Sequence, residues 1–481
     1  VKGARMAYFP AASLRINAAT TAAMPVCPEP HRPESDDMQA SVPASRPVPA
    51  PDHRAKATPR RRFGEPRPKE GEAPVRVGEV FFSRTDMAGT IQSGNEVFRR
   101  VTDHSWDDLI GAPHALTRHP DMPRGVYWLL WQHLGRGQPL GIYLKNRARD
   151  GLWYWVFAIL TPVEGGFLSV QFKPTSPMLV RIRQEYADLL ALEGEQALAP
   201  DASGAAFLAR LADLGYPSYD RFMAQALAGE ITARATALGQ LVNPVLDQFA
   251  DISAEVAQVE AITEEVAESF SAIRNVPTNL RILATRLEAA GGPISAISSN
   301  YATISDEIHA WTRCFLNDGN GAFGRIRAAL DAGLFLQGAA DIQDEALAQF
   351  RAERRRGPAE GDAVKRTDMA LLEHQAAVFR DRARSGLDRV TVEAEGFARA
   401  IVEMKRLVTG LSSTRMLCKI EAARRAEDGG LDEIIRLLDG FQTQVERHMA
   451  RFSEINRHVQ TETSNLRTAR AHPGLRRAPQ G

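Results

Sequence analysis

Strand-forming sequence in this chain of 481 residues lies only between residues 79 and 173. Alternating apolar and polar residues predict five strands, at 79–83, from 91, and at 140–147, 153–162 and 167–173. Asp150-Gly151 and Gly165-Gly166 favour tight hairpin turns between the last three. Short helices are predicted between the second strand and the third. The sequence therefore predicts one small α+β domain, and the long remainder must fold without a sheet.

A charged segment, Thr117–Arg124, separates the two groups of strands. It contains Arg118, His119 and Asp121, three side chains that can bind anions, move protons or accept hydrogen bonds. Asp121 is placed to cap a helix predicted over 123–135, whose first turn tolerates a proline. The segment is therefore the first candidate for a functional site.

After residue 176 the strand signal ends. A linker over 176–240 contains three predicted helices, at 178–195, 201–214 and 217–230. A long helical arm is predicted to begin near Ile231. Its apolar residues recur at spacings of three, four and seven, which indicates a coiled-coil seam of Ile252, Val256, Val259, Val266, Phe270, Ile273, Leu280, Leu283 and Leu287. Pro277 should kink this helix.

Long helical hairpins are predicted over 241–468. Three further helices follow the first arm, at 294–356, 364–427 and 431–467. Glycine-rich segments separate the four helices, at Ala289–Pro293, Gly357-Pro358 and Asp428–Gly430. This order predicts two antiparallel hairpins, which either fold into one bundle or pair between subunits.

Both ends of the sequence differ in composition from the rest. Residues 1–75 are rich in Pro, Arg, Ala and Ser, and with 469–481 they are predicted to be disordered because they offer little apolar surface to bury. Cys27, Cys314 and Cys418 are scattered without CxxC spacing, which argues against a zinc site or a disulfide framework. We expect no bound metal.

Composition also limits the function. Lys plus Arg and Asp plus Glu both number 59, so no net field favours nucleic acid. The sequence has no apolar run of membrane-spanning length and no apolar signal segment, so we expect a cytoplasmic protein without a membrane span. No GxSxG, Walker A, HExxH or Rossmann fingerprint occurs in a supporting context, and we expect that the protein is not an enzyme.

The domain over 76–175 contains four groups of residues in a distinctive order, Arg118–Pro123, Trp131, Lys145–Arg147 and Tyr154–Val156. In their order and spacing these groups resemble the PAS sensor of bacterial aerotaxis receptors. The resemblance implies the PAS fold, in which a five-stranded antiparallel sheet faces short helices across a cavity. It also implies bound FAD, whose redox state reports oxygen or respiratory status.

By this resemblance the candidate cofactor-binding residues are Arg118, His119, Asp121, Trp131 and Asn146. Their chemistry suits a flavin. Arginine presents a fork of donors to a pyrophosphate or a carbonyl edge, tryptophan a flat apolar wall, and asparagine both a donor and an acceptor. Asp121 could equally serve only as a helix cap, and Trp131 could belong to the core.

Two fragments of the helical region share a pattern: Thr278–Leu280 with Leu283 and Leu287–Ala290, and Ile420–Arg424 with Glu427. Both are similar to the signalling hairpin of methyl-accepting chemotaxis proteins. Both precede a glycine turn, as in that family. Neither is followed by the family's GRGFAVVA segment. The similarity implies a chemotaxis histidine kinase and its coupling protein as partners.

Three hypotheses follow from the sequence. The first is a cytoplasmic, homodimeric signal transducer in which a PAS domain that binds FAD controls the helical output region. The second is a scaffold protein whose cofactor-free PAS domain mediates dimerisation and whose coiled coil binds a partner. The third is a direct chemotaxis input to a histidine kinase.

Overall fold

A computed structural model describes most residues after position 66, namely 67–273, 275–287, 292–315, 321–356, 362–424 and 430–468. Residues 1–66 of the first predicted tail, and the second predicted tail at 469–481, lie outside these ranges. So do the centres of the three glycine-rich turns, with Glu427. The side chains of Phe270, Ile273 and Leu287, three residues of the predicted seam, are outside the description too.

The strands form one antiparallel sheet in the order β2-β1-β5-β4-β3. They are β1 Val80–Asp86, β2 Ile91–Gly94, β3 Leu140–Arg147, β4 Trp153–Val163 and β5 Gly166–Phe172. Local turn chemistry sets their pairing: Gly151 (φ 91°) and Gly165 (φ 77°) adopt the left-handed backbone that tight hairpins need. The predicted five-stranded antiparallel sheet is confirmed.

Side chains alternate between two faces of this sheet. The inner face carries Ser83 and Phe167, which contact His114 and Trp131 from the segment between β2 and β3. The outer face carries Phe82, Tyr143 and Phe172, which contact helices from later in the sequence, and Phe157, which packs on Phe172. Because both faces are covered, β5 is buried along its whole length.

Three short helices pack on the inner face: α1 Glu96–Thr102, α2 Trp106–Leu109 and α3 Arg124–Gly135. Asn95 caps α1 by accepting a hydrogen bond from the amide of Phe98 at 3.2 Å. Asp121 does not cap α3, so that prediction is wrong. Pro123 is the cap residue, and the carboxylate of Asp121 is paired with Lys145 instead.

Glu193, from the first helix after the sheet, supplies the missing cap of α3. It accepts a hydrogen bond from the Gly125 amide at 3.1 Å and another from the Ser203 hydroxyl at 2.6 Å. A carboxylate at this position suits the positive end of the helix dipole. The start of α3 is therefore held by a residue distant in sequence.

Residues 67–75 belong to the segment for which the sequence predicts disorder, yet they pack against the sheet. The Ala73 amide donates to the Trp153 carbonyl at 2.7 Å, and Arg67 pairs with Asp150 at 2.6 Å. Ala73 and Val75 are buried. The folded domain thus includes residues before 76, because these few apolar side chains find a site on the sheet edge.

Three helices follow the sheet: α4 Pro177–Gln196, α5 Pro200–Asp213 and α6 Tyr219–Leu238. A continuous arm from Ile231 was predicted, and this prediction is wrong. Gly239 ends α6 in the left-handed conformation (φ 64°), with its amide bonded back to the helix. The next helix begins only at Pro244.

The remaining helices are α7 Pro244–Ile273, α8 Val276–Leu287, α9 Pro293–Phe315, α10 Ala322–Arg356, α11 Asp362–Arg424 and α12 Gly430–Thr468. Pro277 lies in the first turn of α8, where proline is tolerated, rather than within a kinked helix. Buried seam residues are Ile252, Val256, Val259, Val266 and Leu280. The predicted all-α region of long antiparallel helices is confirmed.

Side-chain bonds tie these helices together within a single polypeptide. Ser253 of α7 donates to Asp331 of α10 at 2.8 Å. Trp311 of α9 and Asn456 of α12 donate to carbonyls of α11, those of Ala400 and Ala394. One polypeptide therefore supplies all of these neighbouring helices.

Candidate functional site

The charged segment before α3 lies against the end of β3. Arg118 forms an isolated antiparallel bridge with Asn146, and its guanidinium stacks on the ring of Tyr127 at 3.7 Å. The side chain of Arg118 is otherwise exposed. Stacking of this kind holds the guanidinium plane while leaving its hydrogen-bond donors accessible. Arg118 is thus a surface cation at the rim of the inner face.

His119 and Asp121 form a small cluster with Lys145. The Asp121 amide donates to Nδ1 of His119 at 3.1 Å, and Lys145 Nζ lies 2.6 Å from Asp121 Oδ2. The hydrogen bond from Lys145 lowers the pKa of Asp121. Burial, together with the charge of Lys145, lowers the pKa of His119. The cluster therefore presents a neutral imidazole beside an ion pair.

Asn146 is the most deeply placed of the five predicted residues, with 4% of its surface exposed. It is the register partner of Tyr154 on the inner face. Burial raises the pKa of Tyr154, and a hydrogen bond with the neighbouring Asn146 side chain lowers it in part. The Tyr154 hydroxyl nevertheless has no partner at good hydrogen-bonding geometry. Two polar groups therefore lie side by side in an apolar interior.

A second polar pair lies on β5, also on the inner face. Gln171 donates to the Ser169 hydroxyl at 3.0 Å, while its own buried carbonyl oxygen Oε1 has no partner. Buried polar atoms are normally bonded. The inner face thus carries two polar pairs, Asn146 with Tyr154 and Ser169 with Gln171, and Gln171 faces Ala158 rather than Tyr154 on β4. We call these four residues the polar strip.

Trp131 does not join the other four predicted residues. Trp131 is half exposed (51%), and its ring makes a T-shaped contact with that of Phe167, with 5.7 Å between the ring centroids. Phe167 pairs with Pro162, at the opposite end of β4 from Tyr154. Arg118, His119, Asp121 and Asn146 are brought together at the end of β3, and Trp131 lies apart from them.

His114 is an inner-face group that the sequence did not single out. Its Nε2 lies 3.0 Å from the Ser83 hydroxyl, and its ring stacks on Phe98. Burial lowers the pKa of His114 to about 4, so the imidazole is neutral at physiological pH. The polar residues at alternate positions of β1 and β5 were the available signal, but such alternation ordinarily indicates a solvent-facing side.

The polar strip fits the chemistry of a flavin ring system. A flavin offers both acceptors and donors at its polar edge, which an asparagine, a tyrosine hydroxyl and a glutamine carbonyl can match. Arg118 lies beyond the end of the strip, where a pyrophosphate could meet it. Within the described residues no group of three or more His, Cys, Asp or Glu side chains could hold a metal ion.

The outer face joins the sheet to the helices through α10. Gln349 accepts from the Val80 amide at 2.9 Å and donates to the Gly78 carbonyl at 2.8 Å. Glu353 accepts from the Glu96 amide and from Asn95, so it reinforces the cap of α1. The start of β1 and the start of α1 are therefore both fixed to one helix.

Glu353 makes this junction sensitive to pH. Burial raises the pKa of its carboxyl from 4.5 to about 7. The folded protein then binds this proton more tightly than the unfolded polypeptide, so stability falls as pH rises from about 4.5 to about 7. We expect Glu353→Gln to flatten that part of the pH profile of the unfolding midpoint, measured by thermal denaturation. Equal slopes for variant and wild type over this range would contradict the assignment.

The sheet order and the covered inner face define the class of protein domain, and the comparison with families agrees. Residues 92–171 match the model of the PAS fold. The protein has a PAS domain homologous to that of the aerotaxis receptor of Escherichia coli strain K12, with 32% identity over 123 residues. The nitrogen fixation regulatory protein of Klebsiella pneumoniae is 36% identical over 89 residues.

These similarities cover only part of each protein. The alignment spans 24% of this sequence and 24% of the aerotaxis receptor, and 18% of both for the nitrogen fixation regulator. Among solved structures, one reported under a title on a flavin analogue in a light-oxygen-voltage domain is 18% identical and covers 25% of this sequence and 87% of its own, with a TM-score of 0.19. A blue-light activated histidine kinase of Erythrobacter litoralis, 13% identical, covers 38% and 58% with a TM-score of 0.20. Neither score supports an argument about this protein.

No helix in the described part of the protein is both long and apolar enough to cross a membrane.

Proposed function

We propose that this protein is a non-enzymatic signal transducer whose PAS domain binds FAD against the polar strip and passes the state of the flavin to the helical bundle. The observation that carries the proposal is a pair of buried polar atoms on the inner face: Gln171 Oε1, which has no hydrogen-bond partner, and Tyr154 Oη, whose contact with the Asn146 amide lacks good geometry. Such atoms cost free energy unless a ligand bonds them.

The choice of FAD among polar ligands has two supports. The relative that matches over 123 residues is an aerotaxis receptor, and the segment from Arg118 to Asn146 lies within the residues by which this sequence resembles that family. When bound, a flavin supplies reversible electron transfer. The residues of the inner face would orient the ring and exclude water, and the neutral His114 and His119 would add no positive charge near it.

The bundle is proposed as the output. The helix after each chemotaxis-like segment runs back alongside the one before it: Ser298 of α9 donates to the Pro277 carbonyl of α8, and Arg415 of α11 pairs with Asp439 of α12. Helices α9 and α11 are antiparallel neighbours, because Ile304 packs on Gly410 and Trp311 donates to the Ala400 carbonyl. Both reversals are therefore at one end of the bundle, where a coupling protein or a histidine kinase could contact them together. Homodimerisation belongs to the same proposal.

The visible absorption spectrum of the purified protein tests this function. We expect flavin bands, and we expect the extracted cofactor to migrate as FAD. Asn146→Leu should weaken flavin binding about tenfold, because it removes one buried hydrogen-bonding group from the ligand. Arg118→Ala should also lower occupancy, since it removes a cation at the rim. Flavin content per protein is the measurement.

Gln92→Leu provides the control, because Gln92 is exposed on β2 and its substitution also exchanges an amide for an apolar side chain. Its flavin content should equal that of the wild type. A colourless protein that takes up no added FAD would overturn the proposal and favour the cofactor-free scaffold. Undiminished flavin in Asn146→Leu would remove the polar strip from the site.

A further inference from the structure

Glu230 of α6 is completely buried beneath the outer face of the sheet. Its carboxylate accepts four hydrogen bonds. Tyr143 on β3 donates its hydroxyl at 2.7 Å and Ser176 its hydroxyl at 2.6 Å, both to Oε1. The amides of Thr175 and Ser176 donate to Oε2 at 2.6 and 2.9 Å. One side chain thus joins a strand, the junction between β5 and α4, and a helix.

This site requires a group that accepts hydrogen bonds at both of its polar atoms, because all four partners donate. An ionised carboxylate can accept all four bonds, whereas an amide would turn an NH₂ group towards two of the donors. Charge-assisted bonds of this kind are short and depend strongly on geometry. A small displacement of β3 relative to α6 would therefore lengthen the bond from Tyr143 while the two backbone amides stay in place.

β3 connects this carboxylate to the ligand face. Asn146 of the polar strip and Tyr143 lie on the same strand of 8 residues and point to opposite faces of the sheet. A change in what Asn146 bonds on the inner face therefore acts on the strand that carries the Tyr143 hydroxyl. Because Tyr143 and Asn146 are only three residues apart on β3, a local change in this strand reaches both.

α6 connects the carboxylate to the bundle. Leu227 and Ile231 pack on Gly338 of α10 so closely that a Cβ atom there would lie 3.0 Å from Cδ1 of Ile231. One turn further, Arg234 forms two hydrogen bonds of 2.6 Å with Glu345 of α10. Arg234 also donates to the Val77 carbonyl, just before β1. A movement of α6 cannot leave α10 unaffected.

We propose that Glu230 couples the sensor to the output. A displacement of β3 changes the Tyr143–Glu230 bond and so moves α6, and α6 in turn moves α10, which is packed against it. This proposal rests on the proposed function for the identity of the signal, a flavin in two redox states. It requires two arrangements of the Tyr143–Glu230 pair that differ in their contacts, which the ligand state biases.

Hydrogen exchange of the full-length protein tests the coupling, with the flavin oxidised and then reduced by dithionite. In the wild type we expect reduction to change exchange rates in α10 by about fivefold, comparable to the gain or loss of one hydrogen bond. Tyr143→Phe should abolish this change while keeping the flavin content. Tyr186→Phe is the matched control, because Tyr186 donates its buried hydroxyl to the Tyr143 carbonyl from α4. It should respond as the wild type does.

The outcomes separate the two proposals. If flavin is bound and Tyr143→Phe still responds, or if the wild type shows no response, the coupling role of Glu230 is overturned while flavin sensing stands. If no flavin is bound, the proposed function fails, and coupling is judged from the ligand-free proteins. Faster exchange in α10 for Tyr143→Phe than for Tyr186→Phe would then support it, and equal exchange would overturn it.

Discussion

Gly125→Ala is expected to destabilise the protein by about 1–3 kcal/mol, the usual cost of forcing an extra methyl group into a closed contact. Gly125 lies in the first turn of α3, where this helix meets α5. A Cβ atom there would lie 2.4 Å from the backbone nitrogen of Gly204 and 2.4 Å from Oγ of Ser203. Backbone atoms cannot rotate away, so the two helices would have to separate. Thermal unfolding measures the effect.

The same substitution should reduce flavin content, because α3 covers the inner face of the sheet. Gly135→Ala is the matched control: it changes another glycine of α3, at a position where a Cβ would meet nothing within 4 Å. We expect it to leave the unfolding midpoint unchanged or slightly raised, since alanine favours helix. Equal stability of the two variants would show that α3 and α5 are less closely packed than their backbone atoms indicate.

Glu230→Ala should cost about 3–5 kcal/mol, because each buried donor left without an acceptor costs about 1–3 kcal/mol. The variant leaves two hydroxyls and two backbone amides without the carboxylate that accepts from them. Neither water nor another side chain can replace four bonds at a site with no exposed surface. Urea unfolding should show the midpoint of the sheet domain shifted to much lower concentration.

Glu195→Ala is the comparison for this experiment, because Glu195 is exposed on α4 and the substitution is chemically identical. Its effect should stay within about 0.5 kcal/mol. Tyr143→Phe, which removes one donor and leaves the carboxylate in place, should fall between the two. A Glu230→Ala variant as stable as Glu195→Ala would mean that the four bonds contribute nothing to folding.

The sheet could be predicted from sequence because its signals are local. Residues 140–147 were predicted as a strand and form β3 over the same residues. Gly151 and Gly165 indicated the hairpins from their backbone freedom alone. The cap of α3 could not be predicted, because Lys145 takes the Asp121 side chain and Glu193 replaces it from a distant helix. Such a competition is decided by tertiary structure.

Part of the candidate site could be predicted from sequence, because some of its residues are close together in the chain. Arg118, His119 and Asp121 lie close together in sequence, and Arg118 bridges to Asn146 at the end of β3. Tyr154 and Gln171 were not assigned to the site, because a polar residue alternating with apolar ones does not reveal whether its face meets water or a covering helix. Whether that face is exposed depends on α3, which covers it but belongs to a different part of the sequence.

The intramolecular bundle has a consequence for how the protein behaves on dilution. A bundle assembled from two polypeptides dissociates at low protein concentration, so its stability depends on concentration. Here Ser253 and Asp331, or Asn456 and Ala394, meet within one polypeptide, and their encounter is unimolecular. Because these contacts lie within one polypeptide, we expect the helical core to be equally intact at roughly nanomolar and roughly micromolar protein concentration.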